Sequence, residues 1–145
     1  MNSKPLNILF ADDDKDDRFL FEQALKGIPL ATHLTTVYDG EQLMKYLSEH
    51  SEELPDVLFL DLSMPRKSGM ECLSEIKKDE KLKGLPVVLF STSFSKDSKN
   101  EEVLKDHLSE IGAYDYIRKP ADFEELKKAI HQELIKIKEK EIWNK

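Results

Sequence analysis

Residues Val57-Leu58-Phe59-Leu60 form an unbroken apolar run that Asp61 closes, after which Ser63-Met64-Pro65 and Gly69 turn the chain. A run this short, without alternation and bounded by turn residues, fits a strand buried on both faces of a parallel sheet. Parallel strands cannot be joined by a tight hairpin, so helices must lie on either side of this run in the sequence. The chain supplies them in alternation. Leu6 to Ala11 reads as a first strand, closed by Asp12-Asp13-Asp14, and Asp16 to Lys26 carries Phe19, Leu20, Ala24 and Leu25 at helical spacing before Gly27 and Pro29 stop it. Thr32 to Tyr38 is a second strand, and Asp39-Gly40 opens a helix marked by Leu43, Met44 and Leu47. Met70 to Lys78 follows the central run as a helix with Met70, Leu73 and Ile76 inward, and Gly84-Leu85-Pro86 introduces a fourth strand, Val87 to Phe90. Lys96 to Gly112 is mostly helical by pattern, Ala113 to Ile117 is a short fifth strand, and Phe123, Leu126, Ile130, Leu134 and Ile137 stripe a last helix. The expected architecture is α/β: a doubly wound five-stranded parallel sheet with helices on both faces.

The chain has 145 residues and 39% hydrophobic content, enough for one compact domain and no second one. Its net charge of −7 repels phosphate backbones and anionic membranes, which argues against direct nucleic-acid binding. No apolar run approaches the ~18 residues needed to cross a bilayer, no secretory signal opens the chain, and the single Cys72 forms no internal disulfide. These features together predict a reducing, cytoplasmic setting.

Right-handed crossovers send all parallel strands the same way, so their C-terminal ends share one edge, where α/β sheets bind ligands. That edge collects Asp12 and Asp13 from the first strand, Asp61 from the third, Ser91 and Thr92 from the fourth, and Lys119 from the fifth. Three carboxylates in a partly buried cleft repel one another and call for a cation. Hard oxygen donors of this kind suit Mg²⁺. A lysine ammonium and a hydroxyl opposite would hold the oxygens of a phosphoryl group, and the expected chemistry is its transfer onto a carboxylate.

Asp12-Asp13 after a first strand, Asp61 in Leu-Asp-Leu-Ser-Met-Pro with Gly69 beyond, Ser91 five residues after Pro86, and Tyr116-Ile117-Arg118-Lys119-Pro120 together resemble the receiver domain of two-component response regulators, of the stand-alone, single-domain, CheY-like kind. The resemblance spans Leu6 to Leu134 and implies a flavodoxin-like fold. It implies that Asp61 accepts a phosphoryl group from a histidine kinase or histidine phosphotransfer protein. Asp13, Asp61 and the Ser63 backbone carbonyl would ligate Mg²⁺, with Asp12 helping through water. Ser91 would bond a phosphoryl oxygen and change orientation, Lys119 would pair with the phosphoryl group, and Tyr116 would be the aromatic switch. Signalling would run either through a downstream protein partner on the face of the fourth helix, fifth strand and fifth helix, or by passing the group along a phosphorelay. The family's Lys119-Pro120 bond is often cis. Such a protein is a phosphoryl-accepting switch with autocatalytic transfer and self-dephosphorylation, not an enzyme.

Some features depart from the family pattern or carry ordinary explanations. The 27 residues 92–118 between Ser91 and Lys119 exceed the usual spacing. The chain reads as a single receiver domain over 1–145, with a core of about residues 6–135, a C-terminal helical extension or tail at 136–145, and no output domain following. Asp14, Asp16 and Asp17 read as solvated charges at a helix start. Tyr116 also fits a plain core aromatic. Cys72 reads as a small buried residue, and His33, His50, His107 and His131 show no metal-ligand spacing. Two other readings stay open on the residues: a phosphohydrolase of the haloacid-dehalogenase type with its nucleophile in Asp12-Asp13-Asp14, and a degenerate receiver that binds a partner constitutively.

Overall fold

The structure is a computed structural model that describes residues 4–91, 106–107 and 109–143. The strands β1 (Leu6–Ala11), β2 (Thr32–Val37), β3 (Val57–Asp61), β4 (Val87–Ser91) and β5 (Asp115–Arg118) form one sheet in the order β2-β1-β3-β4-β5. Every pairing is parallel, with Ala11 beside Leu60, Asp61 beside Phe90, and Ser91 beside Arg118. β3 and β4 are buried along their whole length, which is why their sequences are apolar without alternation. Between the strands run α1 (Lys15–Lys26), α2 (Gly40–Glu49) and α3 (Gly69–Lys78), and α4 (Phe123–Trp143) ends the described chain. The helix expected over Lys96 to Gly112 falls largely outside the described residues; positions 106–107 and 109–110 have helical backbone. The extension expected over 136–145 is helical as far as Trp143.

The two faces of the sheet carry separate cores. On one, Leu43 and Leu47 of α2 and Cys72, Leu73 and Ile76 of α3 pack on Leu9, Leu58, Leu60 and Leu89. On the other, Phe21, Ala24 and Leu25 of α1 and Leu126, Ile130, Leu134 and Ile137 of α4 pack on Ile8, Phe10, Phe59 and Phe90. Phe21 is the centre of this second face. Its ring stacks on Phe10 at 4.1 Å between centroids and meets Phe59 edge-on at 5.0 Å. Half of the expected α1 stripe holds: Ala24 and Leu25 are buried, but Phe19 and Leu20 are 60% and 41% exposed and the fully buried Phe21 takes their place. Phe123, expected inward, is 36% exposed at the start of α4. The sheet needs one apolar stripe from α1, and Phe21, Ala24 and Leu25 supply it at three- and four-residue spacing, with Ile28 just past the helix end continuing the same buried face.

Helix starts lie at the C-terminal edge of the sheet and are capped by side chains. The Asp14 carboxylate accepts from the Asp16 and Asp17 backbone N–H groups, and Asp39 accepts from Gln42. Ser68 and Glu71 form a reciprocal capping box at α3. No cis peptide bond occurs among the described residues, Lys119–Pro120 included.

Candidate functional site

Asp12 and Asp61 lie where two adjacent central strands end, β1 and β3, so sheet register alone brings their carboxyl groups together. Asp13 joins them from the turn after β1, and one carboxylate oxygen from each of the three lies within 4.8 Å of the others. Asp12 is fully buried and Asp61 is 4% exposed, whereas Asp13 stands at the open mouth. The Asp14 N–H donates to Asp12 Oδ1 at 2.9 Å, and the Ser63 N–H donates to Asp61 Oδ1 at 3.3 Å. Such a set of hard, anionic oxygens, deep on one side and open on the other, fits a small divalent cation that keeps some of its waters.

Lys119 closes the cluster from the β5 side. Its ammonium donates to Asp12 Oδ2 at 2.6 Å and to Asp17 Oδ2 at 2.7 Å, and lies 3.9 Å from Asp61 Oδ1. It also lies 5.4 Å from the centre of the Phe90 ring, and its side chain is 10% exposed. The backbone fixes its root: the Lys119 N–H donates to the Ser91 carbonyl at 2.9 Å. Burial lowers the Lys119 pKa, but the hydrogen bonds to Asp12 and Asp17 outweigh it and the net direction is upward, so Lys119 stays an ammonium. Asp61 moves the other way for a carboxyl group. Burial first, then the charge of Asp12, raise it from 3.8 to about 7 against the pull of Lys119. Burial likewise raises Asp12, partly offset by its hydrogen bond from Lys119. One lysine does not neutralise this cluster, and a bound cation would supply the missing positive charge.

The loop carrying Ser63 is held by close backbone packing. The Gly69 N–H donates to the Leu62 carbonyl at 3.1 Å, and a Cβ at Gly69 would overlap the Asp61 carbonyl oxygen and approach Leu62 Cα to 2.7 Å. Gly40 at the start of α2 plays the same part from the other side, where a Cβ would overlap the Lys67 carbonyl oxygen and lie 2.7 Å from its carbonyl carbon. Arg66 between them takes φ 69° and lies 3.6 Å from Asp39, so the loop's fold is tied to the α2 start.

The described residues Asp12, Asp13, Asp61, Ser91 and Lys119 lie at the strand-end edge expected for them. Asp12, Asp13, Asp61 and Lys119 converge directly, and Ser91, 1% exposed, ends β4 beside Asp61's strand. Thr92 lies outside the described residues. Tyr116 is 5% exposed and packs in the α2/α3-side core, so in this structure its ring is inward. Asp17, expected to be a solvated charge, is a Lys119 partner instead. The signal for it was present: with Phe21, Ala24 and Leu25 inward, position 17 falls one turn before Phe21 on the same face. Cys72 is buried and its thiol is pushed up to about 11 by burial, as fits a packing residue. No helix among the described residues is long and apolar enough to cross a membrane.

Residues 8–131 match the family described as the response regulator receiver domain. The probable methanogenesis regulatory protein FilR2 of Methanothrix harundinacea is 31% identical over 131 residues, a match covering 88% of this chain and 81% of that protein. Among solved structures, the phosphorylated cyanobacterial phytochrome response regulator RcpA superposes with a TM-score of 0.75 at 32% identity, covering 89% of this chain and 91% of that one. The Mn²⁺-bound form of response regulator Rcp1 gives 0.73 at 30% identity, covering 88% and 91%. With the sheet order, the acidic cluster and the strand-end lysine all in place, the chain belongs to the receiver domain family of two-component response regulators.

Proposed function

We propose that this protein is a phosphorylation switch in which Asp61 accepts a phosphoryl group from a histidine kinase or histidine phosphotransfer protein. The observation that carries this reading is the convergence of Asp12, Asp13 and Asp61 within 4.8 Å, with the Lys119 ammonium 3.9 Å from Asp61. Asp13, Asp61 and the Ser63 backbone carbonyl would hold Mg²⁺, with Asp12 acting through water. When bound, the ion supplies positive charge that neutralises the cluster and the phosphoryl oxygens. An ionised Asp61 Oδ attacks phosphorus in line, a P–O bond to Asp61 forms, and the bond from phosphorus to the donor's leaving atom breaks with its electron pair staying on the donor. Lys119 keeps its proton and neutralises a phosphoryl oxygen, and the buried Ser91 donates its hydroxyl to another.

Output follows as a shift of a pre-existing equilibrium. Phosphorylation would favour Ser91 turned to the phosphoryl group and Tyr116 in the buried position it holds here. The face carrying β5, α4 and the segment before β5 would then meet a downstream protein. The receiver assists its own phosphorylation and hydrolysis and is a switch, not a turnover enzyme.

Acetyl phosphate with Mg²⁺, followed by intact-protein mass measurement, tests this reading. The expected result is the added mass of one phosphoryl group, absent when Mg²⁺ is chelated before acetyl phosphate is added and absent in Asp61→Asn. Added mass that survives Asp61→Asn, or turnover of a small phosphomonoester that depends on Asp12 alone, overturns it.

A further inference from the structure

The Lys119 ammonium has three N–H groups and is almost wholly shielded from water. Two of them reach Asp12 Oδ2 at 2.6 Å and Asp17 Oδ2 at 2.7 Å, whereas 3.9 Å to Asp61 Oδ1 is too long for a hydrogen bond. Asp12 and Asp61 belong to the carboxylate cluster that fits a cation, and Asp17 does not. We infer that Asp17 is a positioning residue: it holds the lysine back from Asp61 and so keeps the carboxylate cluster open to a divalent cation. This inference rests on the reading of the cluster as a Mg²⁺ site.

The mechanism is a competition between two positive charges for the same oxygens. Without Asp17, the freed N–H group has one nearby acceptor already in the cluster, Asp61 Oδ1. The ammonium would then lie across Asp12 and Asp61, where its charge opposes an incoming cation and occupies oxygens the cation needs. Asp17 is built for the opposing role. It sits in the first turn of α1, its own N–H held by the Asp14 cap at 3.3 Å, while the next residue, Arg18, donates to the Asp12 carbonyl at 2.7 Å. Its carboxylate is two-thirds buried and therefore less screened than its solvated neighbour Asp16.

Calorimetric titration of the full chain with Mg²⁺ tests this, comparing wild type with Asp17→Asn, Asp17→Ala, Asp17→Glu and Asp16→Asn. The last removes one negative charge a residue away and touches no part of the Lys119 network, so it measures the general field. The expected result is a Kd for Mg²⁺ raised roughly fivefold or more in Asp17→Asn and Asp17→Ala, less than about twofold in Asp16→Asn, and restored to within about twofold of wild type by Asp17→Glu. In phosphorylation by acetyl phosphate, the Mg²⁺ concentration giving half-maximal rate should rise in step, with the rate at saturating Mg²⁺ changed by less than about twofold. Thermal melts monitor folding, and alanine's helix propensity keeps at least one Asp17 variant folded. Equal Mg²⁺ affinity in the Asp17 and Asp16 variants, with wild type binding Mg²⁺ normally, overturns the inference alone. A wild type that binds no Mg²⁺ overturns it together with the proposed function.

Discussion

Asp61→Asn should make the metal-free protein more stable, and the gain should grow with pH. Burial and the Asp12 charge raise the Asp61 pKa from 3.8 to about 7 in the folded chain. A carboxyl group raised in this way holds its proton more tightly folded than unfolded, so its protonation favours folding at low pH. That contribution is complete below about 3.8, declines as pH rises, and above about 7 leaves an ionised group that opposes folding. At about 1.4 kcal/mol per pH unit, the full difference is on the order of 4 kcal/mol, and relaxation of the cleft and water entry reduce it to about 2–4 kcal/mol. Asparagine keeps the shape and an acceptor for the Ser63 N–H while removing the charge. Urea denaturation of both proteins in a chelator at several pH values measures the gap directly. The variant should lead by about 2–4 kcal/mol at pH 8, narrowing to under about 1 kcal/mol near pH 4.5. Saturating Mg²⁺ should erase most of the lead at pH 8, because it stabilises only the protein that binds it well. A gap independent of pH, or a wild type more stable than the variant at pH 8 without metal, would refute the argument that unbalanced buried charge governs this site.

Other perturbations follow from particular contacts. Gly69→Ala should abolish phosphoryl acceptance and destabilise the fold by about 2 kcal/mol or more, since its Cβ would overlap the Asp61 carbonyl oxygen; Gly84→Ala, with nothing within 4 Å, should stay within about 0.5 kcal/mol in the same denaturation assay. Phe21→Ala should cost about 3–5 kcal/mol and Phe19→Ala under about 1 kcal/mol, because only the first ring is buried. Glu133 on α4 is 3% exposed, and burial first, then the hydrogen bond and charge of Asp115, raise its pKa to about 7, with Lys136 opposing. By the same sign, Glu133→Gln should gain stability relative to wild type as pH rises from about 4.5 to 7, measurable as a pH-dependent difference in melting temperature.

The sequence by itself determined the succession of strands and helices and the identity of the converging groups. Val57 to Leu60, short, β-favouring and bounded by turn residues, reads as a strand buried on both sides, and in a parallel sheet the residue after such a strand lies at the ligand edge, which places Asp61. Asp12-Asp13 and Ser91 were legible for the same reason, each following an apolar run, whereas Lys119 follows the mixed stretch Asp115 to Arg118 and was marked by its place before Pro120 at a strand end. Strand boundaries matched to within a residue or two, as in Leu6–Ala11 and Val87–Ser91. Tertiary structure decided the rest. Which face of α1 turned inward depended on the aromatic pocket formed by Phe10, Phe59 and Phe90, residues from three different strands, and it chose Phe21 over Phe19. That rotation in turn delivered Asp17 to Lys119 across 102 residues of sequence. The closeness of Gly40 to Lys67 and of Gly69 to Asp61 likewise arises only when separate elements pack. Periodicity is a property of neighbours along the chain and fixes what each segment becomes. Partner choice among several carboxylates within a few ångströms is a property of distance, which the order β2-β1-β3-β4-β5 and the packing of helices on it set.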